Sequence, residues 1–192
     1  SSVSDQCGFF SGKRVTLDRV GLLGCSMNKE SVAIRIRQAE LADLDAINNI
    51  IERAIMTWDL PERVKRLSLS TYLYHPHDFE HMVLVVAETK LDAIVGVTAC
   101  EQAGSSNTVT SPKALMLHGI YVDPAHHHRA IGSKLLSVAF KSARQGGFDG
   151  LLVKAQAGAE GFFAACGMER LPVENAQRDY HNRFWKTVAS KG

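Results

Sequence analysis

The chain has 192 residues, 45% hydrophobic and 22% charged, ordinary proportions for a globular domain with a sizeable core. Its formal net charge is only +2 and no run of Lys or Arg occurs, which argues against nucleic acid as the main partner. No apolar stretch nears the ~20 residues of a membrane span, and Cys7, Cys25, Cys100 and Cys166 are too far apart for a zinc or Cys-x-x-Cys pattern, so they read as reduced thiols.

Residues 1–31 are Ser- and Gly-rich with an apolar patch at Val20–Leu23, and are expected to form an extension docking on a domain over 32–192. Leu22-Leu23-Gly24-Cys25 loosely resembles a lipoprotein cleavage site, but the apolar run is only a few residues long and Asp18 and Arg19 interrupt it, so a cytoplasmic protein is expected. The alternation of Val32, Ile34 and Ile36 predicts a half-buried strand. Asp43 then starts a helix, whose apolar positions Leu44, Ile47, Ile50, Ile51, Ala54 and Ile55 recur at helical spacing. A second helix is expected over Glu62–Leu73 with Pro61 in its first turn, where a missing N–H costs nothing. Met56-Thr57-Trp58-Asp59 is the short connection between them.

Met82–Glu88 and Ala93–Cys100 read as strands joined by a turn at Thr89–Asp92, and the Gly/Ser/Thr/Asn-rich 102–112 as a loop. Ala114–Val122 is the next strand, ended by Asp123-Pro124. Ile131–Arg144 is a helix with Leu135, Leu136, Ala139 and Phe140 on one face and Gly146-Gly147 beyond its end. An apolar strand at Gly150–Ala155, a short helix at Gly158–Cys166 stopped by Gly167, and a final antiparallel pair at Glu169–Val173 and Tyr180–Val188 complete the chain. The order is that of an α/β (α+β) domain, a mixed sheet with helices covering its faces.

The stretch Met116–Leu136, MLHGIYVDPAHHHRAIGSKLL, carries the most chemistry. It is a strand, a basic loop and a helix start, and such a start offers unpaired N–H groups and a positive dipole end to an anion. Three histidines and an arginine fill the loop, so a phosphate cradle, a metal site and a plain surface loop are the readings to separate. Adjacent histidines cannot all point at one ion from an extended loop, and no carboxylate or cysteine pattern completes a ligand set, so no metal is expected.

These features resemble the Gcn5-related N-acetyltransferases (GNAT), over Val32 to about Ser190. The family signature Gln/Arg-x-x-Gly-x-Gly/Ala is matched by His127-His128-Arg129-Ala130-Ile131-Gly132, followed by Ser133-Lys134-Leu135-Leu136. Ile120–Pro124 looks like the end of the family's fourth strand. Phe162-Phe163-Ala164-Ala165-Cys166-Gly167-Met168 stands where the family has Phe-Tyr-x-x-x-Gly-Phe, and Ile34–Asp43 looks like its start.

The resemblance implies a mixed, mostly antiparallel sheet of about seven strands flanked by helices, acetyl-CoA as cofactor, and acetyl transfer to the primary amine of a small molecule. The pyrophosphate would lie on the N–H groups of His127, His128, Arg129, Ala130, Ile131, Gly132 and Ser133. Ala130, where the signature has glycine, is expected in ordinary φ/ψ. The pantetheine arm would lie along Ile120, Tyr121 and Val122 where the fourth strand splays from the fifth, near the marker residue Phe163. His118 is the candidate base for a direct attack in a ternary complex, because imidazole accepts a proton near neutrality and arylalkylamine acetyltransferases of the family place a catalytic histidine there. A histidine that only packs on the strand or shapes the pocket is the other reading.

The marker's tyrosine, which usually protonates the leaving thiolate, is Phe163 here, so Tyr121 and Tyr180 are the candidate substitute donors, with protonation by solvent as the alternative. Cys166 lacks cationic neighbours in sequence and reads as a buried structural thiol rather than a nucleophile. Trp58, Tyr72, Tyr74 and His75 are the candidates for lining the acceptor site, with Asp59 and Glu62 to attract a cation. The segment Asp179–Lys186 would close the acceptor side or form a homodimer contact. Two alternatives remain: an acyl-CoA-binding sensor with little catalysis, favoured by Phe163, and a protein lysine or N-terminal acetyltransferase.

Overall fold

The computed structural model describes residues 33–104, 113–174 and 180–188. The expected extension over 1–31, Val32, Cys7, Cys25 and most of the 102–112 loop lie outside them. Seven strands form one sheet: β1 Arg35–Gln38, β2 Val83–Glu88, β3 Ile94–Gln102, β4 Ala114–Val122, β5 Gly150–Lys154, β6 Glu169–Arg170 and β7 Arg183–Thr187. Their order across the sheet is β1-β2-β3-β4-β5-β7-β6. Every neighbouring pair is antiparallel except β4 and β5, which are parallel. The sheet is thus mixed and mostly antiparallel, with the seven strands that the sequence suggests.

Two helical layers cover it. On one face lies α1, Leu44–Met56, whose Ile47, Ile50, Ile51, Ala54 and Ile55 are all buried. They pack with Leu84, Val86, Val97, Ala99 and Tyr121 from β2, β3 and β4. On the other face lies α4, Ile131–Gln145, which buries Ile131, Leu135, Leu136, Ala139 and Ala143. The short α5, Glu160–Ala165, adds Phe163 to a cluster with Leu117, Leu151, Val153 and Phe184.

The local differences from expectation have physical reasons. β1 starts at Arg35 because its partner strand ends at Glu88, which leaves Ile34 nothing to pair with. Pro61 precedes α2, Glu62–Ser68, instead of lying in its first turn; its extended ψ of 138° aims its carbonyl at the N–H groups of Val64 and Lys65. The helix stops short of Leu73 where the Ser68 hydroxyl donates back to the Val64 carbonyl at 2.9 Å, and a 3-10 turn over Leu69–Thr71 follows. The one-turn helix α3, Asp78–His81, has too few residues to show a period in the sequence.

One ion network ties the first strand to the first helix. Arg37 donates to both carboxylate oxygens of Asp43 at 2.6 and 3.0 Å and to Glu88 Oε1 from Nε and Nη2 at 3.2 and 3.0 Å. Arg35 reaches the other Glu88 oxygen at 3.2 Å. Asp43 also accepts the Glu40 N–H at 2.8 Å, so the same carboxylate closes the turn that leads into α1. The Arg37 hydrogen bonds hold the Asp43 carboxyl below its usual range.

Arg37→Met should cost about 3 kcal/mol or more in urea melts, because it strands the 4% exposed Glu88 without its main partner. Since the folded pKa of Asp43 is depressed, its contribution is complete above the unfolded value of about 3.9 and is lost as pH falls through the folded value. The melting temperature should therefore drop in acid, and Asp43→Asn should flatten that drop while lowering the plateau.

Candidate active site

The site begins where two parallel strands part. β4 and β5 pair only over Ala114–Leu117 and Gly150–Val153, whereas β4 stays paired with β3 as far as Val122. One edge of residues 118–122 therefore has no strand beside it among the described residues. The opening comes earlier than the expected Ile120–Val122: β5 ends at Lys154, and a bulge in β4 sits at the same point. Ala99 faces Gly119 while Cys100 faces Leu117, so His118 is the inserted residue. Leu115 and Leu117 point to the α4 face before it, and Ile120 and Val122 point to that face after it. The Thr98 hydroxyl, donating to the Gly119 carbonyl at 2.8 Å, pins the irregular turn of the strand.

The bulge turns His118 outward, where its Nε2 lies 2.7 Å from Glu101 Oε1 on β3. An ionised carboxylate only accepts, so Nε2 carries the hydrogen and the lone pair of a neutral ring sits on Nδ1. Glu101 was not legible as a site residue, because its reach to His118 depends on the bulge. Both side chains are about one-third exposed.

His118 and Tyr121 border a cleft of ≈240 Å³ whose far wall comes from residues 70–75 together with Asp78 and Met82. Of the residues expected to line an acceptor site, Tyr72, Tyr74 and His75 are there. Trp58 is not in the wall; it meets Tyr72 edge-on at 5.3 Å and backs that ring. Asp59 and Glu62 also lie outside the wall, with Glu62 paired to Arg66. Tyr74 is held by Asn48, which accepts its N–H and donates to its carbonyl, both at 2.9 Å.

Tyr121 is 7% exposed, and burial pushes its phenol far up, so it keeps its proton at any physiological pH. Its ring lies over Gly119, where any Cβ would come within 2.7 Å of the ring. Tyr180 is 43% exposed and close enough to Tyr72 to oppose its ionisation.

Beyond β4 the chain makes a 3-10 turn over Pro124–His126, opened by Asp123 accepting the Ala125 N–H at 3.0 Å. Arg53 of α1 anchors the same carboxylate at 2.7 Å. The His127 ring folds back, its Nε2–H donating to the Val122 carbonyl at 3.0 Å, so this side chain braces the loop. His128, Arg129 and Ala130 are exposed.

The backbone here corrects one expectation. Ala130 is not in ordinary φ/ψ but left-handed, at φ 57° and ψ 17°, and His128 is left-handed too, at φ 59°. These two reversals bend the chain so that the N–H groups of residues 128–133 find no backbone acceptor among the described residues. The N–H of His127 is already engaged, donating to the Pro124 carbonyl at 3.3 Å. Alternating kinks of this kind form a nest of N–H groups at the start of a 15-residue helix, the geometry an anion requires. Among the described residues no group of three His, Cys, Asp or Glu side chains is placed to hold a metal ion.

The marker helix departs from expectation in detail. Phe163 is 5% exposed and packs on Phe184 in the core, with no polar group to offer the cleft. Its neighbour Phe162 is the ring that reaches the loop side, at the contact distance of 3.4 Å that a Cβ on Gly132 would have. Cys166 is half-buried rather than buried, and a cation does stand near it: Lys186 Nζ donates to the Cys166 carbonyl at 2.9 Å.

A family model described as "Acetyltransferase (GNAT) family" matches residues 50–168, a span that includes the cleft, β4, the loop and the marker helix. Solved structures share the fold at low identity. A GNAT family acetyltransferase from Brucella melitensis in complex with acetyl-CoA superposes at TM-score 0.58 and 16% identity, over 82% of this chain and 90% of that one. The ribosomal-protein-S18-alanine N-acetyltransferase from Escherichia coli gives 0.56 and 15%, over 83% and 97%. AAC(6')-Iy in complex with the bisubstrate analogue CoA-S-monomethyl-acetylneamine gives 0.54 and 15%, over 73% and 93%. Among curated proteins no match is found. With the cradle, the parted strands and the family match in agreement, the chain belongs to the GNAT family and is an acetyl-CoA-dependent acetyltransferase.

Proposed function

We propose that this chain acetylates the primary amine of a small molecule by direct attack within a ternary complex, with His118 as the base. The observation that carries the reading is the His118–Glu101 pair at the point where β4 leaves β5. Acetyl-CoA, when bound, supplies the acetyl group as a reactive thioester. The residues present fit it: the free N–H groups of His128 to Ser133 suit its pyrophosphate, and the unpaired edge over Ile120, Tyr121 and Val122 suits its pantetheine amides.

The protein's part is then proton management. An alkylammonium must lose a proton before it can attack, and Nδ1 of His118 holds the lone pair for it. Glu101 keeps the ring in that tautomer and steadies the imidazolium that forms, as a carboxylate does behind other catalytic histidines. Tyr121, protonated by virtue of its burial, takes the donor role toward the departing thiolate that Phe163 cannot fill.

Direct attack is favoured over an acyl-cysteine route. Burial pushes the Cys100 thiol up to about 12, and Cys166 does not line the cleft. The cleft volume of ≈240 Å³ suits a small acceptor, since ligand pockets commonly run from ~300 to ~1,000 Å³.

The test supplies acetyl-CoA with a panel of amines and follows release of free CoA, beside direct CoA binding. His118→Ala should lower kcat by about 10²–10⁴ while leaving CoA affinity within about twofold. An equal loss in both would make His118 a structural residue, and CoA binding with no turnover on any amine would favour the sensor reading. Glu101→Gln should cost on the order of tenfold in kcat, since the ring survives but its tautomer is no longer fixed.

The left-handed Ala130 gives an independent check of the cradle. Ala130→Gly relieves a Cβ strain of about 1–2 kcal/mol, partly offset by unfolded-chain entropy, so urea melts should show a small gain with CoA binding kept. Ala130→Val should weaken stability and CoA affinity together.

A further inference from the structure

The cleft contains one charged side chain that the proton chemistry leaves unused. Asp78 opens α3 and is 8% exposed, yet it forms part of the cleft wall. Its Oδ2 accepts the His75 N–H at 2.6 Å. Its Oδ1 faces His77 Nε2 at 3.4 Å and His81 Nε2 at 3.8 Å, on rings whose side chains are 67% and 49% exposed. An imidazole is no permanent cation near neutral pH. Among the described residues no Lys or Arg forms an ion pair with Asp78. A buried carboxylate without a lasting counter-charge is costly, and the cost falls if a cation arrives from the cleft.

The rest of the wall suits such a visitor. Tyr72, Tyr74 and Tyr121 put aromatic rings around the space, and ring faces attract ammonium and guanidinium groups. The described charges of the wall also disfavour a class. No Lys or Arg is among the described residues of the wall, so an acceptor carrying a carboxylate or phosphate would meet Asp78 there with only the imidazoles of His75 and His118 to offset its own charge.

From this geometry we infer that the acceptor is a small dication, whose reacting primary amine meets His118 while a second ammonium or guanidinium group pairs with Asp78. The inference rests on the acetyltransferase reading above and narrows its substrate class. Asp78 is then a specificity residue that binds the far end of the substrate and takes no part in proton transfer.

The test compares straight-chain diamines of increasing length with n-alkyl monoamines and ω-amino carboxylic acids of the same lengths. Turnover is followed as CoA release, and binding to the CoA-loaded protein is measured by calorimetry. Diamines should exceed the matched monoamines about tenfold or more in kcat/KM and in affinity, with an optimum length, and the amino acids should be poorest. Asp78→Asn, which still accepts the His75 N–H, should raise KM for the best diamine about tenfold, leaving kcat, the monoamines and CoA affinity unchanged.

Monoamines bound and acetylated as well as diamines would overturn the proposal, and so would an Asp78→Asn loss equal for both. The wild-type comparison decides the matter even if the variant fails to fold. Calorimetry keeps the two readings apart: diamine preference in binding without turnover supports the acceptor site and removes the acetyltransferase mechanism, whereas turnover without diamine preference does the reverse.

Discussion

A pair of parallel strands held by a regular ladder has no reason to part. In this chain β5 ends at Lys154, and one inserted residue in β4 stands at the same point. The bulge at His118 breaks the register of β4 against β3, and from that point β4 has no strand on its other side among the described residues. Three features coincide there. The imidazole is turned out of the sheet and onto Glu101, the edge of β4 is left with unpaired backbone groups, and the alternation of faces shifts by one so that Tyr121 points to the α1 side. The proposed base, the proposed cofactor edge and the cleft wall thus meet at a single backbone irregularity.

The loop after β4 must then be held in a strained form. Two non-glycine residues, His128 and Ala130, are left-handed, each at a cost of roughly 1–2 kcal/mol. The surroundings bear that cost. Arg53 and the Ala125 N–H fix Asp123 at the loop's entry, the His127 ring is bonded to the Val122 carbonyl, and Ile131 is 1% exposed in the core at the loop's exit. With both ends clamped, the free N–H groups between them are preorganised, so binding an anion need not order the chain first. The histidine side chains are secondary to this; one braces the loop and the next is exposed to solvent.

Much of the fold was legible because burial on one face writes a period into the sequence. Ile47, Ile50, Ile51, Ala54 and Ile55 show it in α1, and Leu135, Leu136 and Ala139 in α4. The bulge was not legible, since Leu115, Met116 and Leu117 are apolar on both faces and hide a change of parity. Glu101 was missed for the same reason, because its partner across the sheet depends on where the inserted residue falls. The left-handed loop residues were missed because no glycine marks them. Asp78 lies in a one-turn helix too short for any pattern.

Proton ownership orders the site. Burial raises the phenols of Tyr74 and Tyr121 and the thiol of Cys100, so all three keep their protons through the physiological range and none can serve as the base. A carboxylate at Asp78 or Glu101 can accept, but each is already bonded, to the His75 N–H and to the His118 ring. Of the described side chains that line the cleft, only His118 and His75 belong to the type that both takes and returns a proton near neutrality, and of these two His118 stands at the parted strands. On the proposed reading the acceptor amine loses its proton to His118, and the buried Tyr121 donates to the departing thiolate. In the same reading, acceptor choice at Asp78 and proton transfer at the His118–Glu101 pair rest on two separate carboxylates.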